Sequence, residues 1–283
     1  MSRIGRKCLA AALPLVVLLA AGCGKDEKED KEASQPSKPK ALAITASGAG
    51  KAVKLSVPAS AEAGVTEIRF QNQSQSPRDA GLVRIEGNHT VEDVAKIFES
   101  EGGPIPSWIT DGGGVGQVQP GQTGTVTEQL REGKYFVASS ERDGKPATAE
   151  LTVKPGGGGG QLPRADSKIE AKEYSFTTSG LKAGRQKVEF ANTGKELHHA
   201  IGLKVKPGKT PADLKKFFDS EGKGPPPFDE KGGFDTAVID GGQRQVVDLD
   251  LKPGKYAVVC FIQDRKGGPP HVAKGMVSDV TIP

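Results

Sequence analysis

The chain has 283 residues, 39 Lys and Arg against 35 Asp and Glu, only 5% aromatic residues, and abundant glycine (38) and proline (20). That length gives room for two modest domains, each able to bury a core, and the composition favours short strands with many turns over a helical bundle. Basic residues alternate with acidic ones and no basic stripe carries interleaved aromatics, so nothing points to nucleic acid; the net charge of +4, three of it from Arg3, Arg6 and Lys7, gives no strong pull towards anionic lipid.

Met1 to Lys7 is basic, Cys8 to Leu19 is apolar, and the small residues Ala20-Ala21-Gly22 precede Cys23. The apolar run is too short and too sharply ended for a spanning helix and reads as a targeting signal. Leu19-Ala20-Ala21-Gly22-Cys23 resembles the lipobox of bacterial lipoproteins, although Ala20 stands where the usual pattern prefers leucine. The resemblance implies that residues 1–22 are a signal peptide and that Cys23 is acylated. It also implies a lipid-anchored protein at the cell membrane, on the extracytoplasmic face or in the periplasm. The alternative is an ordinary signal peptide cut nearby, with Cys23 incidental. Residues 23–40 are charged, carry Ser and Pro, and have almost no apolar side chain, which predicts a disordered tether. With Cys8 and Cys23 accounted for, only Cys260 remains in the folded part, where an oxidising compartment would normally pair a cysteine.

The rest of the chain repeats itself. Ala63 to Asn72 lines up with Ala183 to Asn192, Thr90 to Val94 with Thr210 to Leu214, and Phe98-Glu99-Ser100-Glu101-Gly102 with Phe218-Asp219-Ser220-Glu221-Gly222. Gly133-Lys134-Tyr135 matches Gly254-Lys255-Tyr256, one residue further on. Two domains follow, residues 41–155 and 166–283, joined by a glycine-rich linker over 156–165.

Each copy reads as strands. In the second, Val188 and Phe190, then Ile201, Leu203 and Val205, then Val247, Leu249 and Leu251, then Tyr256 and Val258 alternate with other residues between Gly and Pro punctuation. Period two of this kind predicts half-buried antiparallel strands and hence a sandwich. One helix interrupts each copy: Thr210 suits an N-cap, Pro211 the first helical position, and Leu214, Phe217 and Phe218 one apolar stripe. The Gly-Pro loops that follow, Gly102 to Pro106 and Gly222 to Pro227, read as plain connections.

The last hairpin of the second copy runs Tyr256-Ala257-Val258-Val259-Cys260, a loop, then Pro270-His271-Val272-Ala273-Lys274-Gly275-Met276. Cysteine at a strand end, histidine on the loop and methionine four intervening residues later resembles the metal loop of the cupredoxins, and the His271 to Met276 run is most similar to that of the copper nitrite reductases. The resemblance implies two tandem all-β, cupredoxin-like Greek-key sandwiches, each with a short helical insertion. It implies one type 1 copper ion held by Cys260, His271, Met276 and a histidine on an earlier strand. A thiolate and two imidazoles form a plane that serves both copper oxidation states, with a weak axial thioether tuning the potential. The earlier histidine is His198 or His199. Alternation places His199 with Ile201, Leu203 and Val205 on the apparent core face and so favours it; a strand starting one residue later, or a bulge, reverses the choice. Phe261 to Pro270 make the gap from Cys260 to His271 longer than in familiar cupredoxins, with Gly267-Gly268-Pro269-Pro270 able to turn the chain back.

The first copy lacks these ligands. Arg78 and Asp79 occupy the positions of His198 and His199, Ser139 that of Cys260, and Ala147 that of Met276, so it reads as a degenerate copy kept for structure, spacing or partner contact. His89 falls outside the pattern and reads as a surface residue. Catalytic signatures are absent: there is no nucleophile elbow, phosphate-cradling loop, zincin helix or dinucleotide fingerprint. The expected role is one-electron transfer without enzyme activity, with His271 partly exposed as the electron port and the Gly-Pro loops docking a redox partner protein, both implied by the resemblance. Copper capture or delivery, with a copper donor or acceptor as partner, and a metal-free scaffolding or adhesive lipoprotein are the alternatives.

Overall fold

The computed structural model describes residues 38–99, 103–140, 146–156, 160–220 and 222–283; the targeting segment with Cys23, most of the tether and the middle of the glycine linker lie outside them. The first half contains β1 (Lys40–Gly48), β2 (Lys54–Ser56), β3 (Ser60–Glu62), β4 (Gly64–Ser74), β5 (Arg78–Ile85), α1 (Val91–Glu99), β6 (Ile109–Val118), β7 (Thr123–Leu130), β8 (Gly133–Ser139) and β9 (Ala147–Lys154). The second contains β10 (Ser167–Lys172), β11 (Ser175–Ser179), β12 (Gly184–Asn192), β13 (Ile201–Val205), α2 (Pro211–Asp219), β14 (Phe228–Asp235), β15 (Arg244–Leu251), β16 (Gly254–Val259) and β17 (Val277–Ile282). Apart from β3 the order of strands and α-helices is the same twice, and the described residues are all-β apart from α1, α2 and a 3-10 turn at Gly50–Ala52.

Each half is a sandwich. In the second, β14-β13-β16-β17 form one sheet and β11-β10-β12-β15 lie in the other; in the first, β3-β9-β8-β5-β6 face β7-β4-β1-β2. Alternation drives this packing: Val188 and Phe190 on β12 are buried while Lys187 between strand partners is exposed. Side chains from both sheets, among them Phe190, Val247, Tyr256 and Val258, close a continuous apolar core, at about 25 cal/mol for each Å² removed from water.

The helices cover the outer faces of the smaller sheets. Thr210 caps α2 through a reciprocal box with Asp213, with Pro211 opening the first turn. Leu214, fully buried, then packs onto Val205, Phe228, Ala257 and Val259, with Ile201, Leu203, Phe217 and Phe218 around them. Truncating such a leucine to alanine costs about 2–5 kcal/mol. Thr90 and Asp93 make the same capping contacts in α1 at 2.9 and 3.2 Å.

The two halves meet as one sheet. Antiparallel pairing of β15 with β7, Gln245 to Glu128, Val246 to Thr127 and Val247 to Val126, fuses the larger sheets into eight strands in the order β11-β10-β12-β15-β7-β4-β1-β2. The described residues thus form one compact unit across the glycine linker. No helix among them is long and apolar enough to cross a membrane.

Candidate metal centre

Three segments converge at one end of the second sandwich. Ahead of β13, Asn192 shapes the turn: its Nδ2 donates to the carbonyls of Glu196 (2.8 Å) and Ile239 (3.1 Å), and its Oδ1 accepts from Gly194 N–H. Glu173, between β10 and β11, braces the same turn by accepting the N–H groups of Lys195 and Glu196. His198 is then pinned to Ile239 by paired backbone bonds of 3.1 and 2.9 Å. Cys260 follows the end of β16, and Val272 N–H bonds its carbonyl at 2.7 Å while His271 N–H bonds Ile262 at 2.8 Å, closing the loop into register. Gly275, at φ +93°, makes the turn that brings Met276 N–H to the His271 carbonyl.

Cys260, His198 and His271 come together as a buried triad. Cys260 Sγ lies 3.8 Å from His198 Nδ1 and 3.5 Å from His271 Nδ1, and the two Nδ1 atoms are 3.1 Å apart. Met276 is fully buried in the same core cluster as Cys260 and completes a His-Cys-His-Met group. His199 is not part of it. Its Nε2 accepts the Phe261 N–H at 2.9 Å and its ring meets Phe261 edge-on. The preference for His199 therefore reverses, for a definite reason. Alternation holds, and His199 does share a face with Ile201 and Leu203, but that face lies beneath α2. His198, Ala200 and Gly202 face the inter-sheet core with Tyr256, Val258 and Cys260. The chain carries two apolar faces here, and only the inter-sheet one carries Cys260 and Met276.

The arrangement suits a metal. Three donors held about 2.0–2.3 Å from one first-row ion in a plane stand about 3.5–3.8 Å apart; the two Cys260 edges of this triangle match that, and the Nδ1–Nδ1 edge of 3.1 Å is shorter. Both imidazoles turn Nδ1 towards the centre; with a cation bound there, both ring protons would sit on Nε2. His198 Nε2 is buried with no hydrogen-bond partner among the described residues, whereas His271 Nε2 donates to Asp264 at 3.0 Å. Burial, reinforced by His271, drives His198 down to about 4, and burial likewise lowers His271 against the pull of Asp264. Both rings are thus neutral donors at ordinary pH. Burial pushes the Cys260 thiol up to about 11, against N–H groups of His199 and Ile262. A thiol in that setting ionises when a bound cation supplies the opposing charge.

This set, one thiolate sulfur, two imidazole nitrogens and a thioether at the end of a two-sheet sandwich, is soft enough for copper. The fold is a two-sheet β-sandwich, repeated twice. No family model and no curated protein matches the sequence. Among solved structures, auracyanin A, a "blue" copper protein from the green thermophilic photosynthetic bacterium Chloroflexus aurantiacus, matches over 41% of this chain and all of its own at 20% identity and a TM-score of 0.30. The copper nitrite reductase from Nitrosomonas europaea matches over 87% of this chain and 94% of its own, at 14% and 0.26, and a multicopper oxidase over 86% and 88%, at 15% and 0.25. The chemistry of the site rests on its own side chains.

One expectation fails outright: His271 is not a partly exposed electron port but fully buried. Tyr174 meets its ring edge-on at 5.0 Å, Asp264 covers Nε2, and the long loop folds over both. The surface residue beside Cys260 is instead Phe261, 37% exposed. The length of this loop also has a structural destination. Ile105 N–H bonds the Arg265 carbonyl at 2.8 Å, Arg265 Nη1 reaches the carbonyls of Ile109 (3.0 Å) and Pro106 (3.3 Å), and Gln263 Nε2 donates to Gly103 at 2.6 Å. The Gly-Pro loop of the first half is thus a seat for the metal loop of the second, more than the plain connection its composition suggested.

In the first half the equivalent positions hold a polar plug. Arg78 Nη1 donates to the Ser139 carbonyl at 3.0 Å, in place of the His198–Cys260 contact. Asp79 accepts the Ser140 N–H at 2.6 Å, the counterpart of the His199 bond to Phe261. A guanidinium cation in the donor position is incompatible with a metal there. His89 stacks on Trp108 with ring centroids 3.9 Å apart, packing that sequence spacing alone does not reveal.

Proposed function

We propose that the chain is a copper-binding one-electron carrier with a single type 1 centre held by His198, Cys260, His271 and Met276, and that Cys23 anchors it by lipid to the extracytoplasmic face of a membrane. The observation that carries this reading is the convergence of Cys260, His198 and His271 within 4.8 Å of one another, all buried. Copper bound there supplies a one-electron couple whose potential the thiolate and thioether set. The protein's part is to hold both imidazoles neutral, exclude water and keep the donors in place in either oxidation state. The donors come from three braced segments, so a change of charge at the centre requires little rearrangement around it. A fully buried donor set also leaves no open position for a substrate, which supports a carrier over an enzyme. Exchange with a chelator would have to open the loop, which supports a carrier over a delivery protein. The anchor rests on the run that ends in Leu19-Ala20-Ala21-Gly22-Cys23.

Addition of Cu(II) to the full chain tests the centre. An intense visible band from thiolate-to-copper charge transfer, with a matching paramagnetic resonance signal, is expected in the parent and absent in Cys260→Ser. A colourless parent protein refutes the reading. Mass spectrometry of the chain from a bacterial host tests the anchor, a diacylated or triacylated Cys23 terminus being the expected species.

A further inference from the structure

The ligand loop carries a charged network that a metal cage does not by itself require. Asp264 Oδ1 accepts from His271 Nε2 at 3.0 Å and from Tyr174 Oη, also at 3.0 Å, while Oδ2 pairs with Lys274. Lys274 Nζ in turn donates to Tyr174 Oη at 3.1 Å and lies over its ring. Asp264 sits between two residues tied to the first half: Gln263 bonds Gly103, and Arg265 bonds Ile105, Pro106 and Ile109. Arg265 also accepts a brace from Glu196, whose Oε2 takes its N–H at 2.7 Å, and its guanidinium pairs with Asp240. The backbone at Asp264 is therefore held from both sides by contacts to the other half, and its carboxylate is held on the imidazole by Tyr174 and Lys274.

We propose that Asp264 is a positioning residue for the metal: it fixes the ring of His271 with Nδ1 aimed at the centre and, by its charge, favours the oxidised ion and lowers the reduction potential. This inference rests on the copper-centre reading above. An imidazole that donates its second N–H to a carboxylate is a stronger base at its metal-bound nitrogen, and loss of such a partner typically costs 10–100-fold in metal affinity. Negative charge close to the centre stabilises Cu(II) more than Cu(I), because the oxidised ion carries one more positive charge. Lys274 opposes it, partly neutralising the same carboxylate. The first half, without ligands of its own, acquires a role by this account: it is the fixed wall against which the loop holds its carboxylate on the metal histidine.

The two charges predict opposite signs, which a merely structural loop would not produce. In full-length protein loaded with Cu(II), Asp264→Asn should keep the visible band and weaken Cu(II) relative to Cu(I) about tenfold, a rise of about 59 mV in a one-electron potential. Lys274→Met should shift the potential downwards. Both shifts with the band retained support the proposal. An unchanged potential in a blue Asp264→Asn protein overturns it, as does a rise in both variants, which would report only a loosened loop. If Asp264→Asn does not fold, Lys274→Met decides alone: a lower potential supports the proposal and an unchanged or higher one overturns it. A parent protein that gives no band overturns the copper centre itself, an outcome distinct from all of these.

Discussion

Glu128 offers a quantitative test of how the two halves are joined. It lies on β7 at the seam, opposite Gln245 on β15, and is 6% exposed. Its Oε2 accepts the Gly114 N–H at 3.0 Å, and the Gln245 amide, turned with its nitrogen to the seam, donates to the same oxygen at 3.1 Å and to the Gly114 carbonyl at 3.2 Å. Burial raises the carboxyl from 4.5 to about 7, against the Gly114 bond. Below 4.5 the group is protonated in both folded and unfolded chains and contributes nothing to pH dependence. Between 4.5 and about 7 the unfolded chain binds fewer protons than the folded one, so stability falls as pH rises, and above about 7 the full loss is present. At 1.36 kcal/mol per pH unit the loss is about 3 kcal/mol, a large share of the ~5–15 kcal/mol that stabilises a typical domain. Glu128→Gln removes the ionisation and keeps the shape. In urea melts of the chelator-treated chain, the parent should therefore lose about 3 kcal/mol more than the variant between pH 4.5 and pH 8. Parallel pH profiles would refute the reasoning, because they would mean that Glu128 is solvated and the seam is open.

Four further outcomes follow from the centre and its surroundings. His198→Ala should abolish the visible band in a copper titration. His199→Ala should keep the band and instead cost about 0.5–1.5 kcal/mol in denaturant melts, the net worth of its bond to the exposed Phe261 N–H. Cu(II) at 100 times its dissociation constant should stabilise the parent by about 2.7 kcal/mol, seen as a higher melting temperature that Cys260→Ser does not share. A Cβ at Gly202 would lie 2.0 Å from the Phe234 ring, so Gly202→Ala should cost about 1–3 kcal/mol by urea melt; an unchanged midpoint would mean that the ring gives way freely.

Local chemistry made much of this molecule readable. The twofold repeat shows in Asn72 and Asn192, each of which bonds two carbonyls across its turn, at 2.8 and 2.8 Å and at 2.8 and 3.1 Å. Capping by Thr210 and Pro211 depends on neighbours in the chain, and so does the spacing from His271 to Met276. What the sequence did not disclose depends on residues far apart. The choice between His198 and His199 turns on which of two apolar faces α2 covers, and period two cannot distinguish a face packed under a helix from one packed against a sheet. Asp264 was legible only as one charge among many, because its contacts to His271, Tyr174 and Lys274 exist only once the loop is folded back. Nor does any local signal join β7 to β15: Thr127 and Val246 look the same whether they end a sheet or continue one.

The seam also determines what would happen if the chain were cut at its glycine run. The seam would still hold the halves together, but if they were drawn apart both β7 and β15 would become bare edges, with unsatisfied N–H and C=O groups presented by residues as apolar as Val126, Val246 and Val247. Edges of that kind recruit other strands. The first half thus covers an edge of the second that would otherwise lie open to pairing with another strand.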